Sequence, residues 1–331
     1  MKLSRLGEFG LIERVRRATP KSRGVLLGIG DDAAWVASKF GSLLITSDLL
    51  IEGVHFDLKW TSLFALGYKA VAVNLSDIAA MGGTPAYLIL SLGIPARFRS
   101  EDIDEFYRGI RSLAKKNGVA LVGGDTNLAD LLLISACLIG HAPYRPVTRA
   151  GAKIGDDVYV TGTIGDAALA LKLLKSKSPQ PERGPAAYLL ARHHRPTPKV
   201  AAGTLLARER LATAMIDVSD GLLQDLGHIC KVSKIGAVLW EEKLPLSPAY
   251  RALCGKEGTR PALTGGEDYE LLFCAPPRNR SRIAKLQHGT ADLVMTRIGT
   301  CVSARAGITV LDSAGKPLSI RAEGHDHFKK Y

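Results

Sequence analysis

The chain has 331 residues, 46% hydrophobic and 23% charged, a balance that supports two globular cores and excludes a wholly disordered or fibrous polymer. Its 44 Lys and Arg exceed its 32 Asp and Glu, for a formal charge of +12. These cations are dispersed and no basic stripe is interleaved with aromatics, so no nucleic-acid partner is expected; attracting phosphorylated small molecules is the milder use of the same charge.

The N-terminal segment spreads its charges and lacks an apolar block, so no signal peptide is predicted there. Residues 25–29 and 43–47 are short Val-, Ile- and Leu-rich runs and predict strands. Residues 63–81 predict a helix stopped by Gly82, Gly83 and Pro85. Residues 86–92 predict a strand. Ser100 is the expected N-cap of a helix with an acidic first turn, running to Asn117 and ending at Gly118. Residues 131–139 form the longest apolar run and read as a strand, because a membrane span needs about 20 residues. A cytoplasmic protein without a membrane partner is therefore expected.

A boundary is predicted within 144–150, giving domains 1–148 and 149–331. Beyond it, residues 158–161 predict a strand and 166–174 a helix. A Pro-rich stretch follows, with a short insert near 176–185 as the one candidate for disorder. Residues 214–218 predict a strand, 220–231 a helix and 269–274 a strand. Strands and helices mix without a regular βαβ repeat, which predicts an α+β fold in two halves. The five cysteines are scattered, odd in number and without a CxxC, so they predict reduced core thiols.

The informative residues are acids in apolar or glycine-rich settings: Asp31 and Asp32 in GIGDDAA, Asp48 in ITSDLL, Asp77 in NLSDIAAMGG, Asp125 in VGGDT, and Asp217 and Asp220 in MIDVSDGL. Asp77 is the sharpest case. Helical spacing places it on the stripe of Ala70, Val73, Ala80 and Met81, so a carboxylate is aimed at an apolar face. It needs a partner there or becomes protonated; a core hydrogen-bond network and a polar site both satisfy that demand. Asp48 ends a strand behind Thr46 and Ser47. If these acids converge, their repulsion calls for cations among them. An all-oxygen donor set without His or Cys clusters suits magnesium, manganese or calcium rather than zinc. No GxxxxGK[ST], GxGxxG unit, HRD, DFG, GxSxG or HExxH occurs, which removes the P-loop, protein-kinase, serine-hydrolase and zincin routes.

Together these segments resemble the thiamine-monophosphate kinase family. GEFGLI, GIGDDAA, SDLLIEGVHF, LGYKAVAVNLSDIAAMGGTP, GGDT, VTGTIGD, DVSDGLLQDLGH, GGEDYELLF and GHDHF follow in the family's order across nearly the whole chain. The DIAAMGG helix and the Gly-Asp-Thr loop are shared with aminoimidazole-ribonucleotide synthetase, selenophosphate synthetase and a hydrogenase-maturation dehydratase; EGVHF and GGEDYEL are the discriminating parts. The resemblance implies ATP-dependent phosphorylation of thiamine phosphate to thiamine diphosphate, with several Mg2+ ions. It carries magnesium ligation to Asp32, Thr46, Ser47, Asp48, Asp77, Asp125 and Asp217, and a further metal position to Asp220. ATP contacts fall on Gly124, Asp125, Arg149, Ser219 and Tyr107, and substrate contacts on His55, Glu267 and His325. It implies a homodimer whose N-terminal sheets pair, and a second α+β domain closing the cleft. Two departures stand out. Thr46-Ser47 replaces the usual two threonines and keeps both hydroxyls, and His325 stands where an aromatic that stacks on thiamine is common. A synthetase of the same superfamily and a non-catalytic nucleotide-binding regulator are the alternatives.

Overall fold

The computed structural model describes residues 7–20, 22–39, 41–176, 183–288 and 293–320. Its first half holds α1 (Glu8–Ala18), β1 (Val25–Leu27), β2 (Ala34–Ser38), β3 (Gly41–Ile51), α2 (Leu63–Ala80), β4 (Thr84–Ile94), α3 (Ser100–Lys116), β5 (Ala120–Leu128) and β6 (Leu133–Ala142). The six strands form one sheet in the order β1-β2-β3-β6-β4-β5. All neighbours are antiparallel except β4 and β5, whose parallel pairing requires a crossover, and α3 supplies it. Period-two alternation buries Leu88, Leu90 and Leu92 of β4 and Ile134, Ala136 and Leu138 of β6 on the face that packs against Leu66, Val71, Leu75 and Ile78 of α2.

Helix α2 is capped by Ser62, whose Oγ accepts from Ala65 N, and it is buried nearly all round, as expected of a core helix. It is long and apolar enough to cross a bilayer, yet 78% of it is buried inside the protein. It crosses α3 at glycines. A Cβ on Gly109 would lie 2.0 Å from the Phe64 carbonyl oxygen, and one on Gly67 2.0 Å from that of Phe106. Alanine is the better helix former by about 1 kcal/mol, but overpacking costs about 1–3 kcal/mol and the obstacle here is rigid backbone. Gly109→Ala is therefore expected to lower the urea midpoint with an unchanged m-value.

The second half holds β7 (Asp157–Thr161), α4 (Asp166–Lys175), α5 (Pro185–His194), α6 (Val200–Arg208), β8 (Ala214–Asp217), α7 (Leu222–Ser233), β9 (Ile235–Trp240), α8 (Pro248–Leu253), α9 (Arg260–Thr264), β10 (Leu271–Ala275), α10 (Arg280–His288), β11 (Met295–Ser303) and β12 (Ile308–Leu311). Its sheet runs β12-β9-β11-β7-β10-β8. Strands β7, β8 and β10 are buried at every position, so they read as continuous apolar runs rather than alternating ones. One face carries its own core. On the other, Met215, Leu271 and Phe273 pack with Leu206 of α6 and with Ala79 and Ala80 of α2. A Cβ on Gly203 of α6 would sit 2.0 Å from the Ala79 carbonyl oxygen. The C-terminal end of α2 is thus clamped between the two halves, and this places Asp77 at their junction.

Every strand and helix predicted above exists, with ends shifted by a few residues. Ser100 is the first residue of α3 rather than its cap; Arg99 holds the cap position and its N–H donates to the Asp102 carboxylate. Helix α7 begins at Leu222, two residues after the predicted start. Most of the predicted insert, residues 177–182, lies outside the described residues, and Pro185 opens α5. The five cysteines are unbridged; Cys230, Cys274 and Cys301 are buried.

Candidate functional site

Three elements and one loop converge where α2 ends. Strand β3 brings Thr46 and Asp48, α2 brings Ser76 and Asp77, β8 ends on Asp217, and the turn before β2 carries Asp31 and Asp32. Asp32, Asp77 and Asp217 present carboxylate oxygens within 4.8 Å of one another. Thr46 Oγ1 donates to Asp77 Oδ2 at 2.5 Å, and Ser76 Oγ donates to Asp217 Oδ2 at 2.6 Å. Arg149, from the segment joining the two sheets, donates through its guanidinium to Asp32 Oδ1 at 2.7 Å and through its N–H to Asp31 Oδ2 at 3.1 Å. Asp32 Oδ2 is buried without a hydrogen-bond partner.

So many acids in little solvent disfavour their charged forms. Burial, then the Asp32 charge, pushes Asp217 up to about 8. Burial, then Asp32, lifts Asp31 to about 7. Burial, then Asp220, lifts Asp48 to about 6. Asp77 is raised well above the carboxylate range by burial and then by Asp48, Asp217 and Asp32. Arg149 is the one cation bonded to this group among the described residues. An orphaned buried oxygen amid hard oxygen donors fits a divalent cation such as magnesium.

Between the ordinary carboxylate pKa near 4 and about 8, the folded protein binds more protons than the unfolded chain, so stability falls as pH rises through that window. Thermal melts in chelator are expected to decline from pH 5 to pH 8.5, and the decline to flatten with millimolar magnesium. A chelated melting temperature that climbs over this range would contradict the arrangement.

Asp220 groups with Asp225 and His228, again within 4.8 Å. Asp225 is buried, accepts from the N–H groups of Asp220 and Gly221 at 3.1 and 3.0 Å, and is raised well above its usual range by burial and then by Asp220. Burial, then the Arg149 charge, lowers His228 to about 4. The Asp48 and Asp220 charges link this second group to the first. The Ser219 carbonyl accepts from Glu267 N–H at 2.8 Å. His55 Nδ1 accepts from Ile51 N–H at 3.0 Å, in the turn closing β3. Tyr107 lies on α3 with its ring edge against Phe106, packed on the N-terminal core.

Gly124 and Asp125 are on β5. A Cβ at Gly124 would lie 1.7 Å from the Leu90 carbonyl oxygen, so only glycine lets β5 approach β4 there. Asp125 accepts from Thr126 N–H and Asn127 Nδ2. The register runs from Asp48 to Ala136, Leu90 and Gly124 across β3, β6, β4 and β5. Asp125 therefore stands three strands from Asp48, roughly 14 Å at the usual strand spacing, outside the convergent group of its own chain. His325 lies outside the described residues. Asp31 stands among the informative acids of the sequence but receives no role from the resemblance; Asp225, His228, Lys69 and His193 are not singled out by the sequence, and Asp225 stands in the DVSDGLLQD segment, which is the available signal.

The chain matches the AIR synthase related protein models, the N-terminal domain over residues 30–142 and the C-terminal domain over 153–311. It is 40% identical to the thiamine-monophosphate kinase of Escherichia coli K12, over 97% of this chain and 98% of that one. It is 35% identical to that of Bacillus subtilis 168, over 98% and 100%. The solved structure of AaThiL complexed with AMPPCP and TMP superposes with a TM-score of 0.85 at 34% identity, covering 99% of each chain. Two unlike sheets sharing one clamped helix, with acids gathered at its end, define a two-domain protein of the AIR-synthase-related class. Within that class, near-complete coverage at this identity settles the narrower question: the chain belongs to the thiamine-monophosphate kinase family.

Proposed function

We propose that this protein transfers the γ-phosphoryl group of ATP to thiamine monophosphate, giving thiamine diphosphate and ADP, in the cleft at the end of α2. A terminal oxygen of the acceptor phosphate attacks the γ-phosphorus in line, and the bond to the β–γ bridging oxygen breaks as ADP leaves. The acceptor phosphate is already ionised near neutral pH, so no side-chain nucleophile is required and positioning with charge compensation dominates. The observation that carries this reading is the meeting of Asp32, Asp77 and Asp217 around an unpartnered buried carboxylate oxygen.

Asp32, Asp48, Asp77 and Asp217, with the Thr46 and Ser47 oxygens, would hold magnesium, and Asp220 a further ion. Magnesium bound there supplies screening of two mutually repelling phosphate compounds and of the charge gathering on the leaving diphosphate. The chain's own groups do the orienting. Thr46 and Ser76 fix the carboxylates of Asp77 and Asp217, and Arg149 holds Asp31 and Asp32. Gly124, Arg149, Ser219 and Tyr107 are the proposed ATP contacts; His55, Glu267 and His325 those to thiamine phosphate.

The functional unit we propose is a homodimer. Every residue of edge strand β5 is exposed in the single chain, with Val122 at 55% and Leu128 at 79%, and an apolar open edge invites pairing.

An ADP-release assay with ATP and thiamine monophosphate, with and without magnesium, tests the reading. Magnesium-dependent ADP release matched by thiamine diphosphate is expected. ADP with free phosphate and no thiamine diphosphate would overturn it in favour of a synthetase acting on another acceptor.

A further inference from the structure

Lys69 lies on α2, two turns before Asp77, and is buried. Buried lysines are rare unless paired. Its Nζ is paired with Glu267 Oε1, 198 residues away along the chain. The other carboxylate oxygen, Oε2, lies 3.1 Å from Nδ1 of His193 on α5, an ion-pair distance rather than an aligned hydrogen bond. One carboxylate thus ties the N-terminal helix to a loop and a helix of the second half.

The loop in question is strained and central. Glu267 and Tyr269 adopt φ of +70° and +50°, a region that side chains avoid. Gly266 is pressed so closely onto the neighbouring turn that a Cβ would lie 2.2 Å from the Ser219 carbonyl oxygen. The N–H groups of Glu267 and Tyr269 donate to the Ser219 and Val218 carbonyls at 2.8 and 2.9 Å, and Val218 N–H donates to Glu270 O at 2.8 Å. The loop is therefore bonded along the segment that carries Asp217, Ser219 and Asp220. Burial alone would raise Glu267, yet the Lys69 charge, then His193, holds it well below the carboxylate range. Burial, then the Lys69 charge, lowers His193.

We infer that Lys69 is a positioning residue: through Glu267, with His193 as the second stay, it fastens the 266–269 loop onto α2 and so sets the Asp217–Asp220 turn and the thiamine-phosphate contact against Asp77. The two oxygens of Glu267 face Lys69 and His193, so its side chain serves the latch. The consequence for thiamine phosphate rests on the proposed function; the latch itself does not.

The test is a double-mutant cycle of Lys69→Met and Glu267→Gln, read by urea unfolding and by steady-state kinetics. Lys69→Met is expected to raise KM for thiamine monophosphate at least about tenfold while KM for ATP stays within about twofold, because a removed partner leaves a half-buried carboxylate uncompensated. Adding Glu267→Gln is expected to recover part of the unfolding midpoint, and Lys69→Arg to recover part of the KM. Additive effects of the two substitutions on unfolding would overturn the latch, whatever the kinetics. Coupled unfolding with both KM values moved equally would overturn the positioning role. If the unaltered chain does not phosphorylate thiamine monophosphate, the functional reading fails, and the unfolding cycle still decides the latch.

Discussion

Asp77→Asn is expected to reduce kcat/KM by about 10²–10³-fold or more, the effect of deleting one preorganised charge-stabilising group, without unfolding the protein. The substitution preserves shape and leaves an amide for the Thr46 hydroxyl that now donates to Asp77 Oδ2. It removes a carboxylate whose charged form burial and three neighbouring acids oppose. In chelator at pH 8, the variant should therefore melt at or above the unaltered protein, and the difference should shrink toward pH 5, because the upward shift of that carboxyl favours its neutral form as pH falls. In magnesium the order should reverse, because binding to the folded state stabilises only the protein that can hold the ion. A residue kept for core structure would give the opposite pattern, losing stability under every condition and activity only in proportion. Coupled ADP release and melts at both pH values read the outcome. Near-normal kcat/KM in Asp77→Asn would count decisively against the acidic cleft as the reaction centre.

This contrast was partly visible in the sequence. Helical periodicity put Asp77 on an apolar stripe, so its burial was legible from spacing alone. Asp48 and Asp217 were legible as acids closing apolar strands. Their meeting was not, because nothing local fixes how β3, α2 and β8 are juxtaposed; only the family likeness supplied it. The fold failed to read where residue types mislead. Strand β5 was missed because Gly123 and Gly124 suppress a strand signal, although Gly124 is the residue that allows β5 to lie against β4. Lys69 carries no signal of its own in the sequence, because its pairing with Glu267 exists only in three dimensions. Asp31 sits beside Asp32 in GIGDDAA and receives no role from the resemblance. The structure gives it a separate role, as acceptor of the Arg149 N–H at the junction of the two halves.

Val122→Glu is expected to yield a monomer that folds normally and is nearly inactive. Val122 is 55% exposed in the single chain, so the new charge has little to disturb there, and exposed substitutions usually stay within about 0.5 kcal/mol. Across a pair of β5 edges the same charge would be carried by both copies. Light scattering should change from twice the chain mass to one chain mass of 35.4 kDa, with the melting temperature lowered only by the lost association. The loss of activity would come from a cleft that depends on the pair, and Asp125, three strands from Asp48 on its own chain, tests whether that cleft is shared between the copies. Mixing Asp125→Asn with Asp77→Asn subunits separates this from a general requirement for dimers. If Asp125 works across the interface, a random mixture regains roughly a quarter of the unaltered sites, since half of the two-fold pairs are mixed and each has one intact cleft. If Asp125 works within its own chain, every cleft in the mixture lacks one carboxylate and no activity returns. A fully active Val122→Glu monomer would remove both the interface and the shared site.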